Sequence, residues 1–317
     1  YINKQLKHGI KVLNFVVKWI SRFFLISAQV NFLEASDLET FVKEIRAQHH
    51  IIVKNYDLYP DDPIDVVIPC TNKDLFTLKE AVKGIRTYGV NVRRIIIVSL
   101  ARLESDAEWF DEALFPFDKY SVALEILKSG SRARSFIEEP KSRIGWIYQQ
   151  LLKLYAPFMI PGISSNVLVL DADTIFLNKT RFMDDLGQVL FNIGSEYHHP
   201  YFPHMAKVLP FLKRVHPNYS GVTHHMLFQK SILQDFTNQI EQLHGCPMWK
   251  AICRTIDLNE LRGSSFSEYE MYFNFCLLNT DQRKIRPLSW HNVTSLTNME
   301  KFRRKKIDYI SCHEWSR

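Results

Sequence analysis

The sequence has 317 residues, 46% of them hydrophobic and 23% charged, with only 11 glycines and 13 prolines. That composition excludes a disordered, collagenous or low-complexity protein, and a chain of this length can bury roughly three quarters of its unfolded surface. Forty Lys and Arg against 34 Asp and Glu leave a formal charge of +6. That suits phosphate-bearing partners but falls short of a dedicated nucleic-acid binder, so no nucleic-acid partner is expected.

Five cysteines (Cys70, Cys246, Cys253, Cys276 and Cys312) form no Cys-x-x-Cys pair. Their odd number argues against a disulfide framework or zinc ribbon and for a reducing, cytoplasmic setting. Residues 10–33 are rich in apolar side chains, but Lys11, Lys18 and Arg22 interrupt them. The uncharged run from Phe23 to Leu33 is far shorter than the ~20 residues of a membrane span. The expectations for 10–33 are self-association, packing on the domain, or peripheral contact with a membrane.

Ser36 and Glu39 stand at capping-box spacing, and Leu38, Phe41, Val42 and Ile45 recur at helical intervals. Residues 1–58 therefore read as an N-terminal helical extension, closed by the breaker cluster Tyr59-Pro60-Asp61-Asp62-Pro63. The pattern then alternates. Asp65–Cys70 predicts a strand, Leu75, Leu78, Val82 and Ile85 a helix, Arg94–Ser99 a second strand and Val122–Leu127 a weaker third. A long helix follows over Ile144–Phe158, stopped by Pro161-Gly162, and then a fourth strand over Val167–Leu170. Such alternation predicts an α/β domain with a mostly parallel central sheet flanked by helices. Beyond Thr180 few strands are expected, except Ile307–Ser311. Residues 59–180 read as one half of the domain and 181–317 as the other.

Open α/β sheets bind ligands beyond the carboxyl ends of their strands. The first strand ends at Cys70-Thr71, the second at Ser99, and the fourth runs into Asp171-Ala172-Asp173-Thr174. Two carboxylates at a strand end can hold a hard divalent cation between the chain and a phosphate ligand. An Asp-x-Asp after a hydrophobic strand also marks haloacid-dehalogenase-like phosphatases. Their pattern, however, wants Thr or Val where Ile175 stands, and places the motif on the first strand. On the long helix, Trp146, Gln149, Gln150 and Lys153 share one face, opposite Ile144, Ile147, Leu151, Leu154 and Phe158. That face could offer Lys153 to a phosphate and the amides to hydroxyls.

The segments DVVIPCTNKDL, VRRIIIVS, RIGWIYQQLLKLYAPF, VLVLDADTIFL, SGVTHHMLFQ, SEYEMYFNF and IRPLSWHNV together resemble nucleotide-sugar glycosyltransferases of the Rossmann-like GT-A fold. More closely, they resemble a mostly uncharacterised group from bacteria and large DNA viruses. The resemblance covers the chain from about Asp65 onward. It implies Mn²⁺ or Mg²⁺ on Asp171 and Asp173, with Ala172 between them. A UDP-linked or other nucleotide-sugar would lie over Pro69, Cys70, Thr71 and Ser99, and would meet Trp146, Gln150 and Lys153.

For a further metal ligand it implies a C-terminal histidine, His313 or alternatively His291. In Ser267-Glu268-Tyr269-Glu270, capping spacing gives Glu270 a structural role and leaves Glu268 to point outward. By the same resemblance Glu268 is the catalytic base that takes the acceptor's proton, with Glu270 second. His224 and His225 would line the pocket between donor and a glycan, protein or lipid acceptor. The resemblance adds the virion or an infected host's cytoplasm as locations. A nucleotide-sugar or glycan-binding protein without turnover is the non-enzymatic alternative.

Overall fold

Continuous β-branched runs lie at the centre of the structure, a computed structural model that describes residues 37–103, 106–297 and 299–313. The chain divides into two units between His50 and Ile51. In the first, residues 37–49 form helix α1, with Leu38, Val42 and Ile45 buried. Segment 10–33 and the Ser36 cap lie outside the described residues. Residues 51–58, expected to be helical, are irregular and belong to the second unit. Their β-branched start, Ile51-Ile52-Val53, disfavours a helix. Lys54 fixes the segment instead, through its N–H to the Asn279 carbonyl at 2.7 Å and its ammonium to Asp235 at 2.7 Å.

The described strands of the second unit are β1 (Ile64–Pro69), β2 (Val92–Ser99), β3 (Glu108–Asp111), β4 (Asn166–Leu170), β5 (Thr174–Phe176), β6 (Val189–Phe191), β7 (His225–Gln229), β8 (Arg283–Ile285), β9 (Trp290–Val293) and β10 (Tyr309–Cys312). Its helices are α2 (Leu75–Tyr88), α3 (Lys119–Leu127), α4 (Gly130–Glu138), α5 (Ile144–Met159), α6 (Tyr201–Val208), α7 (Lys230–His244), α8 (Met248–Thr255), α9 (Glu268–Asn279) and α10 (Met299–Arg304).

The central sheet has the order β3-β2-β1-β4-β7, parallel except for β7. Every residue of β1 and β4 is buried, as a sheet covered on both faces requires. Helix α5 packs on β1 and α9, α2 on β2 and β5, and α7 on β7, α8 and α9. Because β1, β2 and β4 are parallel, their polar carboxyl ends share one edge, as expected.

Two elements differ from expectation. Val122–Leu127 belongs to helix α3, because Asp118 and Ser121 form a reciprocal capping box just before it. The third strand is instead Glu108–Asp111, an edge strand with exposed charge and no apolar run to announce it. Beyond Thr180, β9 and β10 join the earlier β5 in a second sheet, β5-β10-β9, and β6 pairs with β8. No helix of the described residues is long and apolar enough to cross a membrane.

At Gly221 the chain crosses α9 so closely that a Cβ would lie 2.7 Å from the Tyr269 carbonyl and 2.6 Å from the Phe273 Cβ. Backbone cannot yield to a methyl group as a flexible side chain can. Gly221→Ala should therefore cost about 1–3 kcal/mol in urea denaturation.

His204, buried on α6, bonds the Ile252 carbonyl at 3.1 Å and the Thr255 hydroxyl at 3.1 Å. Burial pushes its pKa down to about 4 from 6.5. Between these values the unfolded chain binds the proton that the folded chain refuses. The His204 contribution is thus intact above pH 6.5 and lost as the pH falls toward 4, at up to about 1.4 kcal/mol per pH unit. Denaturant midpoints across pH 4–7.5 should show this slope reduced by about one proton in His204→Gln.

Candidate functional site

Strand β4 ends where Asp171 turns the chain, and the Thr174 N–H closes the turn on the Asp171 carbonyl at 3.1 Å. Two strand pairings then supply partners for the two aspartates. β7 pairs with β4 so that Leu170 faces His225, and the Asp171 N–H donates to the His224 carbonyl at 3.0 Å. His224 holds φ at +65°, a left-handed conformation uncommon for a non-glycine residue. Its Nδ1 lies 3.3 Å from Asp171 Oδ2.

β10 pairs antiparallel with β5, placing Ser311 against Thr174, and the Cys312 N–H donates to the Asp173 carbonyl at 2.9 Å. His313 follows at once, its Nδ1 3.0 Å from Asp173 Oδ2 and its Nε2 3.1 Å from Asn292 Oδ1. The rings of His224 and His313 are 4.6 Å apart between centroids. His291 is exposed on β9 and contacts Phe302, so it takes no part in this cluster.

The Lys153 ammonium reaches Asp171 at 2.5 Å and Glu268 at 2.8 Å, with the Tyr269 ring centroid 4.4 Å away. The Tyr269 hydroxyl donates to Asp171 at 3.2 Å. Lys153 is 2% exposed and Glu268 1%, so these two form a buried ion pair, while Asp171 is partly open to the cleft. Burial alone would depress the Lys153 pKa, but Asp171 and then Glu268 outweigh it and hold the lysine charged. Burial likewise disfavours the Asp171 carboxylate, yet Lys153 and His224 keep it well below the usual range. For Glu268 burial wins, and its proton affinity is raised despite Lys153. Glu268 therefore does not point outward into solvent. The first turn of α9, whose residues are all buried, turns it inward onto Lys153.

These groups line a cleft of about 820 Å³, a size typical of small-molecule sites. Of the residues singled out in the sequence, Trp146, Gln149, Gln150, Lys153, Asp171, Ala172, Asp173, His224, Glu268 and His313 are all on its wall. Others stand behind it. His225 is core, ringed by Phe176, Phe182 and Tyr309, with its Nδ1 on the Thr223 carbonyl. Glu270 is buried on Ser220 and on Asn274 at 2.9 Å, although its N–H does meet the Ser267 cap.

Pro69, Cys70, Thr71 and Ser99 lie at the expected sheet edge but off the cleft wall. The Pro69 carbonyl accepts from Gln149, the Cys70 thiol points back to the Thr71 carbonyl, the Thr71 hydroxyl bonds Asp74, and the Ser99 hydroxyl bonds the Ala101 carbonyl. Sequence reasoning missed Tyr269 and the Arg143–Ser264 side of the cleft. Tyr269 and Arg143 both sit inside segments already singled out, but neither has the spacing that marked its neighbours.

A divalent cation fits the chemistry of this donor set. Two carboxylates and two imidazoles converge, while one ammonium supplies the counter-charge. Among the described residues, no group of three or more His, Cys, Asp or Glu side chains is arranged to hold a metal ion by itself, so a cation here would draw most of its shell from ligand and water. Hard cations that also bind substrate phosphates characteristically use only one or two carboxylates and complete their shell from the ligand and water. Asp173 with His313, and Asp171, are the side chains that would hold it.

Residues 107–301 match the sequence profile of a family described as "Family of unknown function (DUF6492)". No curated protein matches the sequence. Among solved structures, mouse xyloside xylosyltransferase 1 in its apo form aligns at 11% identity and a TM-score of 0.38, over 80% of this chain and 98% of that one. The apo structure of WbbM, a bifunctional glycosyltransferase, aligns at 10% identity and a TM-score of 0.37, over 82% of this chain and 47% of that one.

Removing Lys153 would strand two carboxylates against one another in the cleft wall. Lys153→Met should lose about 3–5 kcal/mol in urea denaturation. Lys153→Met combined with Glu268→Gln should recover part of that loss, since the two sites are coupled.

Proposed function

The chain belongs to the DUF6492 family, a family of unknown function, and we propose that it is a metal-dependent glycosyltransferase moving a sugar from a nucleotide-sugar donor to a hydroxyl acceptor. The observation that carries this is the Asp171-x-Asp173 pair at the carboxyl end of a buried parallel strand, opening on a cleft with a buried lysine and two histidines. Ligands of open α/β sheets bind at this edge.

Asp171, Asp173 and His313 would hold Mn²⁺ or Mg²⁺, which when bound neutralises the charge gathering on the donor's diphosphate as the sugar leaves. Lys153 holds Asp171 in its ionised form and fixes its orientation through the 2.5 Å contact. Tyr269 and His224 secure the same carboxylate from two other sides. Glu268 lines the cleft with raised proton affinity, and a base whose pKa is lifted toward neutrality takes a hydroxyl proton more readily. Glu268 is therefore the group proposed to accept the acceptor's proton. Glu270, committed to Ser220 and Asn274, is not.

The test is a thermal-shift screen with UDP-, GDP-, CMP- and dTDP-sugars, with and without Mn²⁺. Saturation at about 100 times Kd stabilises by about 2.7 kcal/mol, which for a chain of this size raises Tm by several degrees. The expected result is a rise with one nucleotide class that needs the metal and is lost in Asp173→Asn. A flat screen with folded wild-type protein would overturn the proposal.

A further inference from the structure

Arg143 is a cation on the cleft wall that no carboxylate of the described residues neutralises. It stands at the N-cap of α5, half-buried, with its guanidinium 4.8 Å from the Trp146 ring centroid. One nitrogen, Nη2, donates to Ser264 Oγ at 3.3 Å, and the buried Nε has no hydrogen-bond partner. The other arginine on the cleft, Arg262, is bonded twice to Glu139, at 2.8 and 3.2 Å. Near the opposite edge of the sheet, Arg93 is held by Asp65 at 2.9 and 2.5 Å. An unpaired charge removed from water is costly, and half-buried Arg143 carries that cost on the cleft wall. Glu196 also lines the cleft but does not pair with Arg143.

We propose that the cleft binds an anionic saccharide, whose carboxylate or phosphate group is received by the Arg143 guanidinium beside Ser264 Oγ. The inference rests on the sugar-transferring function above and makes the acceptor an acidic sugar. Three features support it. The Trp146 ring restrains the guanidinium, whose planar fork is the form that matches an oxyanion. The Ser264 segment is itself fixed, its carbonyl 2.8 Å from His198 Nε2.

Third, ten residues separate Arg143 from Lys153 along α5, about 15 Å at ~1.5 Å per residue. The anion site therefore stands apart from the Asp171–Asp173 end, where the donor's diphosphate belongs. Trp146, Gln149 and Gln150 line the interval between the two, one aromatic face and two amides of the kind that contact sugar hydroxyls.

Isothermal titration calorimetry without any donor tests this, using methyl β-D-glucuronide, glucose 6-phosphate and methyl β-D-glucoside. At least one acidic ligand should bind wild-type protein about tenfold or more tighter than the neutral glucoside. Which of the two does so tells a carboxylate from a phosphate. Arg143→Gln should abolish the preference, and Arg143→Lys, which keeps the charge but not the fork, should retain only part of it.

Equal affinity for acidic and neutral sugars, a preference that survives Arg143→Gln, or no acidic binding up to about 20 mM would overturn the proposal. If Arg143→Gln does not fold, an unchanged preference in Arg143→Lys overturns it equally. Because no donor is present, the outcome is separable from the nucleotide-sugar screen. Acid selectivity without donor binding sinks the transferase function alone, and donor binding without acid selectivity sinks this inference alone.

Discussion

A single buried ammonium organises the cleft. Lys153 sits between Asp171 on a strand end and Glu268 on a helix start, two elements nearly a hundred residues apart in the chain. Coulomb attraction inside a protein is several-fold stronger than in water, but so is the penalty for a charge left alone. Glu268 could not be buried here without the lysine, and the lysine could not be buried without the two carboxylates. The arrangement ties α5, β4 and α9 together at the point where the substrate would enter. Stability and ligand binding thus draw on the same charge.

Around it, geometry is delivered by strand register and not by loops. The pairing of β7 with β4 fixes His224 beside Asp171, and that of β10 with β5 fixes His313 beside Asp173. A slip of one residue in either ladder would turn the histidine's side chain to the other face. The close crossing of Gly221 over α9 adds a third restraint, because it brings the chain leading to His224 down onto the helix that carries Glu268 and Tyr269.

The parts of this structure legible in the sequence were those with a strong local signature. β1, β2 and β4 are unbroken apolar runs, and α5 separates a polar face from an apolar one, so both the sheet edge and the cleft-lining residues of α5 could be read directly. Val122–Leu127 reads wrongly as a strand, since six apolar-rich residues suit a strand or a helix until the Asp118–Ser121 cap is recognised. Glu268 was placed at the right turn but with the wrong exposure. Its burial depends on Lys153, a partner 115 residues away, and no periodicity reports such a contact. His224 and His225 are neighbours with opposite fates for a similar reason. Successive residues entering β7 face opposite sides, and only the register with β4 says which side holds the cleft.

The second sheet has a consequence for how the cleft comes into being. Asp173 and His313 meet across 140 positions of chain, while the β4 strand that carries the aspartates pairs with β1 roughly a hundred residues earlier. Contacts of such separation form late, because the loop they close is long and its entropy is spent before the pairing returns anything. During synthesis the parallel frame from β1 to β4 can condense on the ribosome's surface while Asp173 still lacks its imidazole. The pocket would then exist as a scaffold before it exists as a site, and any shortened form of the chain ending before β10 would lack both the histidine and the strand that pairs with β5.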